Sequence, residues 1–508
     1  KLASKIDSIN LLPTGLLTIK DDAFKENLEI QSIEKELKMI VENQLKNKYG
    51  TNPHPIVLDR VQGELKKIIS NKFAPIYYVS HLLVKKSLSD GYLVGSRGSV
   101  GSSLIATLMS ITEVNPLKPH YVCPECFYTA FHIKGELYSK YGFQKQEKDL
   151  QIYFDNVYCG FDLPNLNCPI CSVPLLKEGH DIPFETFLGF DGDKIPDIDL
   201  NFSGEYQSKA HNYIRNLVGK SQTFRAGTIQ TIAERNAYGY VKGYLEDHNI
   251  NLRNAQVSRI AKKLEGVKRS TGQHPGGIIV VPEGHNIHEI TPIQYPANNT
   301  NSEWYTTHFD YHAFEDNLLK LDILGHDDPT MIKYLMDYVN KNPEKFPFDN
   351  AKNIPLDDPK VIKMFSETAV LGIDKKELMS DIASFAIPEF NTNFTRQMLS
   401  DIKPNTFAEL VKVSGLSHGT NVYLSNSQDL IKGSTSYGKI EVKNIIGCRD
   451  DIMVQLISFG LEKSKAFEIM EFVRRGNPSK KPDEWLNYES EMRLSGVPDW
   501  YIWSCQKI

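Results

Sequence analysis

The sequence predicts an α/β chain of the α+β kind, in which one sheet is interrupted by a helical stretch and then followed by a mostly helical half. Three observations predict it. Residues 194–202, KIPDIDLNF, alternate apolar and polar side chains with period two, the pattern of a half-buried strand. Apolar runs at 277–282 and 317–324 read as further strands, resuming the sheet after a helical, basic stretch over 205–268. Beyond Asp327 the chain reads as helices punctuated by Pro355, Pro359, Pro388 and Pro404. At 508 residues it is too long for a single core, so several domains are expected.

The elements follow in order. Residues 26–48 carry helical periodicity with charged faces; a second helix is expected over 57–72, and a third over 75–91 ends at the Asp90–Gly91 turn. Residues 92–111 read as a short apolar strand, a Gly/Ser loop and an apolar helix. A cysteine-bearing insertion over 123–171 precedes the strand that closes near Phe202. No internal repeat or low-complexity tract stands out.

Composition sets further bounds. With 41% hydrophobic, 24% charged and 10% aromatic residues, the chain has an ordinary globular make-up, and no apolar run approaches the roughly 20 residues a membrane helix needs. The first residues, KLASKIDSIN, hold no apolar segment of a secretory signal and no initiator Met, and WYIWSCQKI adds no closing element. A piece of a longer, cytoplasmic protein is expected. Seven cysteines, four of them in tight C-x-x-C pairs, favour metal over disulfides in a reducing compartment. The net charge of −5 does not mark a nucleic-acid binder. Between Gln207 and Ser270, however, twelve Lys and Arg face four acids, which fits either a solvated helical surface or a phosphate-binding face.

Three groups of residues carry chemistry. Gly95, Gly98 and Gly101 lie among Ser96, Ser99, Ser102 and Ser103 directly before an apolar helix. Glycines allow close backbone approach, free N–H groups at a helix start favour an anion, and Arg97 offers a fork suited to phosphate. The loop is neither a Walker A nor a dinucleotide fingerprint, and a turn that merely caps a helix fits it as well. Asp197 and Asp199 fall on one face of their strand, where two like charges repel unless a cation joins them; an exposed strand edge bearing acids is the plain alternative. Asp322, in a later strand with Lys320 two residues before it, supplies a third carboxylate. Three such groups on neighbouring strands can hold two Mg²⁺, with Lys320 neutralising phosphate charge. Finally, Cys123, Cys126, Cys168 and Cys171 form two knuckles of the kind that bind structural Zn²⁺, with Cys159 a competing candidate ligand; Cys448 and Cys505 read as buried thiols.

The ordered set GSRGSVGSS, NPLKPHY, FETFLGF…PDIDLNF, GQHPGGIIVVP and KLDILGHDDPT resembles the catalytic subunits of bacterial replicative DNA polymerase III, above all the PolC type of low-GC Gram-positive bacteria and mycoplasmas, from about Ile56 onward. The resemblance implies a nucleotidyltransferase palm related to DNA polymerase beta. Its first part would span 1–203, with the zinc insertion at about 120–180, and its second part 276–327. A helical thumb would occupy 204–275, and fingers, cut short, 328–508. It makes Asp197, Asp199 and Asp322 the catalytic Mg²⁺ ligands and puts Gly95, Ser96, Arg97, Gly98 and Ser99 on the incoming triphosphate. Lys320 would stand beside the third aspartate, and Arg396 and His418, with Ser414, in fingers segments that approach the nucleotide. Arg269 and His274 match a family signature whose plain reading is a tight turn, while His81 and His211 read as surface or satisfied core residues. The implied partners are primer–template DNA, dNTPs and, for the full-length protein, a sliding clamp and other replisome subunits, at the nucleoid and away from membranes. Motifs of a proofreading exonuclease, a phosphoesterase-like domain and a clamp contact are not seen. A template-independent nucleotidyltransferase and a non-catalytic, zinc-stabilised nucleic-acid scaffold are the competing readings.

Overall fold

The computed structural model describes residues 19–20, 27–28, 30–133, 136–139, 142–144, 157–190, 195–296, 299–315 and 317–508. The helix expected over 26–48 begins only at Ile30, because Asn27–Leu28 is a strand paired antiparallel with Ile19–Lys20, and much of the stretch between the two cysteine pairs lies outside the described residues. The chain divides into two units, one of Lys1–Met39, Ile68–Gly98 and Pro196–Tyr334, the other of Ile40–Lys67, Ser99–Ile195 and Leu335–Ile508. Helices Ile30–Tyr49 and Pro55–Ser70 agree with the first two expected.

The first unit is built on a mixed seven-stranded sheet. In chain order its strands are β1 (Gly95–Arg97), β2 (Asp199–Ser203), β3 (Thr223–Thr231), β4 (Lys268–Val280), β5 (Ile293–Gln294), β6 (Thr306–Asp310) and β7 (Leu319–His326). Their order in space is β5-β6-β3-β4-β7-β2-β1. β7 runs parallel to β2 and β6 to β3, and the other neighbours are antiparallel. Alternation explains the central strands: Leu200, Phe202, Leu321 and Ile323 are buried on one face, which leaves Asp199 and Asp322 for the other. Burying each such side chain contributes about 1.5–3 kcal/mol. Helices α1 (Ala74–Ser89) and α2 (Gln207–Val218) pack together, and α2 lies along β2 and β7.

Several expectations change here. The segment 205–268 is not helical throughout, because Thr223–Thr231 is a strand paired with β4. Beyond α2 and β3, α3 (Glu234–Asp247) and α4 (Asn254–Leu264) pack on each other through Ala237, Val241, Leu245, Val257 and Ala261. β4 starts at Lys268 rather than 277, so the last eight residues of the expected 204–275 insertion are sheet. The strand expected over 194–202 begins only at Asp199, which leaves Asp197 just ahead of it. Tyr92–Val94 are not a strand; Gly95–Arg97 are, because their pairing partner is β2.

In the second unit, strands Gly142–Gln144, Glu136–Ser139, Thr129–Ile133, His120–Val122 and Leu176–Glu178 form, in that spatial order, an antiparallel sheet. The chain from Leu335 onward is helical, as expected, and its helices close over two apolar cores, one around Met398, Leu399, Val413 and Tyr423 and another around Ile469, Met470, Val473, Trp485 and Tyr501.

Candidate active site

Across the first unit's sheet the register sets functional residues in a row. Arg97 of β1 lies opposite Asp199 of β2, Asp199 opposite Asp322 of β7, and Asp322 opposite Gly277 of β4. Paired residues of neighbouring strands point to the same face, so the two carboxylates are brought together by strand pairing alone. Asp197 joins them from the chain just before β2, and one carboxylate oxygen from each of the three lies within 4.8 Å of the others. Asp197 is exposed, Asp199 half-buried and Asp322 buried.

Such crowding must be compensated. Burial, then the charges of Asp197 and Asp322, push Asp199 up to about 6, against the opposing Arg97 and Lys320. Lys320 Nζ stands 2.9 Å from Asp322 Oδ2 and over the Tyr311 ring, while Arg97 Nε is 3.8 Å from Asp199 Oδ2. Asp322 Oδ1 is buried with no hydrogen-bond partner among the described residues. A carboxylate cluster with one orphaned oxygen and raised affinity for protons is a donor set that fits divalent cations, which prefer oxygen ligands.

His274 adjoins the row. Its Nδ1 is 3.6 Å from Asp322 Oδ1 and accepts the Gly277 N–H at 2.7 Å, and burial holds the imidazole below its usual range. Beneath it, Arg225 donates to the carbonyls of His274 and Pro275 and to His211 Nδ1, while His211 Nε2 reaches the carbonyl of Ile323. Arg225, counted with the basic residues of 205–268, is thus an internal strut, and Arg215 lies against Trp304 and Glu303. The other ten are exposed. His211 is a satisfied core residue, as expected.

The Gly/Ser segment differs from its expectation in one respect. Gly98 takes a left-handed φ of 76°, which lets the chain turn out of β1 beside Asp199. Ser99 opens the next turn, its carbonyl accepting the Ser102 hydroxyl. The helix that follows spans only Leu104–Leu108, and its first N–H groups are not free for an anion. The buried Glu64 carboxylate accepts the N–H groups of Leu104 and Ile105, each at 3.0 Å, and the Ser103 hydroxyl at 2.8 Å. Arg60 pairs with Glu64 and donates to the carbonyls of Ser102 and Ile182. Sequence reasoning missed Glu64 and Arg60 because four-residue spacing on a helix reads as a surface pair.

In the helical unit, Arg396 stacks 4.0 Å over Phe385 and donates to the Asn391 carbonyl and Asn393, so its fork is engaged locally. His418 is exposed at the end of helix Phe407–Ser417 with Nδ1 on the Ser414 carbonyl at 2.7 Å. Arg269 stacks on Tyr240.

The two cysteine knuckles have matching backbones. Phe127 and Ser172, each following the second cysteine, both take left-handed φ and donate to the carbonyls of Cys123 and Cys168. The four sulfurs lie within 4.8 Å of one another, with Cys123–Cys171 at 3.3 Å, Cys126–Cys168 at 3.5 Å and Cys126–Cys171 at 3.8 Å. Four thiolates around zinc, at about 2.3 Å bonds, stand roughly 3.8 Å apart, so the set fits that ion. Cys159 is outside the cluster, 3.5 Å from His180 Nδ1, and burial pushes its thiol up to about 12. Cys505 is buried as expected, but Cys448 is exposed where it caps helix Arg449–Ser458.

Comparison with known proteins matches two family models along the chain. Residues 35–252 and 241–325 match the family described as bacterial DNA polymerase III alpha NTPase domain, and residues 328–496 the bacterial DNA polymerase III alpha subunit finger domain. The chain is 53% identical over 508 residues to the DNA polymerase III PolC-type of Bacillus subtilis, covering all of this chain and 32% of that protein. It is 52% identical over 507 residues to that of Halalkalibacterium halodurans and 51% identical over 508 residues to that of Staphylococcus aureus strain Mu3, again with 32% of each relative covered. The chain spans about a third of the length of these relatives.

Proposed function

The chain belongs to the bacterial DNA polymerase III alpha family, and from that premise we propose that it carries the nucleotidyl-transfer centre of a PolC-type replicative DNA polymerase. The observation that carries the reading is the convergence of Asp197, Asp199 and Asp322 within 4.8 Å. In this reading the seven-stranded sheet is the palm, α3 and α4 with the outer ends of β3 and β4 are the thumb, and the chain from 328 onward belongs to the fingers.

The reaction is attack of a primer 3′-hydroxyl on the α-phosphate of a dNTP, in line with the departing pyrophosphate, and it needs no protein nucleophile. Asp197, Asp199 and Asp322 would hold two Mg²⁺, which would supply activation of the attacking oxygen and neutralisation of the leaving one. Ser96, Arg97, Gly98 and Ser99, with Gly95 at the strand start, hold the triphosphate; because Glu64 occupies the nearby helix start, side chains and the loop backbone carry that task. Lys320 fixes the Asp322 carboxylate and offsets phosphate charge. The eight exposed Lys and Arg between Arg235 and Arg269 grip duplex phosphates without reading sequence. Arg396 and His418 keep the nucleotide-facing role on the resemblance alone. Zn²⁺ on Cys123, Cys126, Cys168 and Cys171 is structural, since four protein ligands leave no open position. A sliding clamp and other replisome subunits are proposed partners of the longer protein at the nucleoid; among the described residues no helix is long and apolar enough to cross a membrane.

Templated primer extension tests the reading. Asp199→Asn is expected to abolish extension while primer–template binding is kept. Undiminished extension by that variant removes Asp199 from the centre, and extension of blunt DNA without a template favours the template-independent alternative.

A further inference from the structure

We propose that His274 donates a hydrogen bond to the phosphodiester at the 3′ end of the primer strand. The inference rests on the polymerase reading above and gives the Asp322 flank of the site its substrate contact.

The tautomer comes from the backbone. Gly277 donates its N–H to His274 Nδ1 at 2.7 Å and Gly276 at 3.3 Å. A nitrogen that accepts two N–H groups carries no proton, so the neutral ring holds its proton on Nε2. That approach requires glycine: a Cβ on Gly277 would lie 2.9 Å from Nδ1 and 2.9 Å from the Ala226 Cβ. From below, Arg225 clamps the carbonyls of His274 and Pro275, so the ring is fixed from two sides. Nε2 has no hydrogen-bond partner among the described residues, and the side chain keeps 29% of its exposure. His418 is the opposite case: its Nδ1 gives its proton to the Ser414 carbonyl, which leaves Nε2 an acceptor and a poor neighbour for phosphate when neutral. The RSTGQHPGG signature, whose plain reading is a turn, therefore builds a pre-oriented neutral donor.

The row of strands says which anion. Ser96, Arg97 and Gly98 flank the carboxylates on the Asp199 side, whereas His274 lies on the Asp322 side, with the two aspartates between them. The triphosphate occupies the first flank, so an anionic oxygen reached by His274 belongs to the other reactant. β4 points the same way: from His274 it runs back to Arg269 and Lys268 and into the hairpin bearing the exposed basic residues of α3 and α4. A duplex gripped there delivers its primer end toward His274.

Primer–template binding to the chain, followed by fluorescence anisotropy with Mg²⁺ and no dNTP, tests this with two primers. One has the natural terminal linkage, the other a neutral methylphosphonate at that linkage. The unsubstituted chain is expected to bind the methylphosphonate primer about tenfold more weakly, the effect of losing one charge-assisted hydrogen bond. His274→Leu should bind both primers with the same reduced affinity. His274→Gln, whose amide can accept from Gly277 and donate outward, should recover natural-primer binding to within about threefold. The proposal is overturned if His274→Leu still discriminates between the primers, or if it raises KM for dNTP while primer binding is unaltered, which would put the ring on the triphosphate. A chain that binds primer–template with this discrimination but never extends it would instead strike the polymerase reading.

Discussion

Glu64 offers a sharp test of how the Gly/Ser segment is held. Its carboxylate, 1% exposed, accepts from Ser103, Leu104 and Ile105 and pairs with Arg60. Glu64→Ala strips the helix Leu104–Leu108 of its anion and leaves the Arg60 charge, itself largely buried, without a carboxylate. Hydrogen bonds to a charged group contribute about 1.5–3 kcal/mol each, and breaking a buried pair by removing one partner costs about 3–5 kcal/mol. These terms overlap, so the expected local loss is about 3–5 kcal/mol in total rather than their sum. At 1.4 kcal/mol per tenfold, peptide-level hydrogen exchange over residues 99–108 should speed up by roughly two to three and a half orders of magnitude. Glu64→Gln, which keeps one acceptor oxygen, should fall between the two. Unchanged protection of Leu104 and Ile105 in Glu64→Ala would refute the capping argument.

Further outcomes can be checked independently. His120, buried and bonded to the Tyr49 hydroxyl and the Lys118 carbonyl, is pushed down to about 4 by burial. With an unfolded value of about 6.5, the unfolded chain binds more protons between those pH values, so stability should rise with pH across the window and be lower by about 3 kcal/mol at its acid end. Apparent melting temperatures of the chain and of His120→Gln, which should lose this dependence, measure it. Elemental analysis should find one zinc per chain, retained in Cys159→Ser and lost in Cys171→Ser; retention in Cys171→Ser would exclude the four-cysteine site. Phe127→Gly and Ser172→Gly relieve left-handed backbone at each knuckle and should leave zinc content unchanged, with stability raised by up to about 1 kcal/mol in denaturant titrations.

Much of the site was legible because its signals are local. Period two exposed Asp197 and Asp199 on one face, C-x-x-C marked the four sulfurs that converge, and Lys320 two residues before Asp322 sits against that carboxylate as the strand pattern requires. What stayed hidden depends on partners far along the chain. Thr223–Thr231 is a strand only because Lys268–Val280 returns to pair with it, and the outer part of that hairpin is too exposed to alternate apolar with polar. Arg225 reads as one more surface cation until the carbonyls of His274 and Pro275 are seen to surround it. Glu64 becomes a helix cap only across the forty residues that separate it from Leu104.

The claim beneath the whole account is that Asp197, Asp199 and Asp322 together form one two-cation site. Anomalous scattering from crystals grown with Mn²⁺, primer–template and a non-hydrolysable dNTP measures it directly. The account predicts two peaks about 3.5–4 Å apart, bridged by these carboxylates. Manganese bound elsewhere, or a single ion that leaves Asp322 uncoordinated, would contradict it.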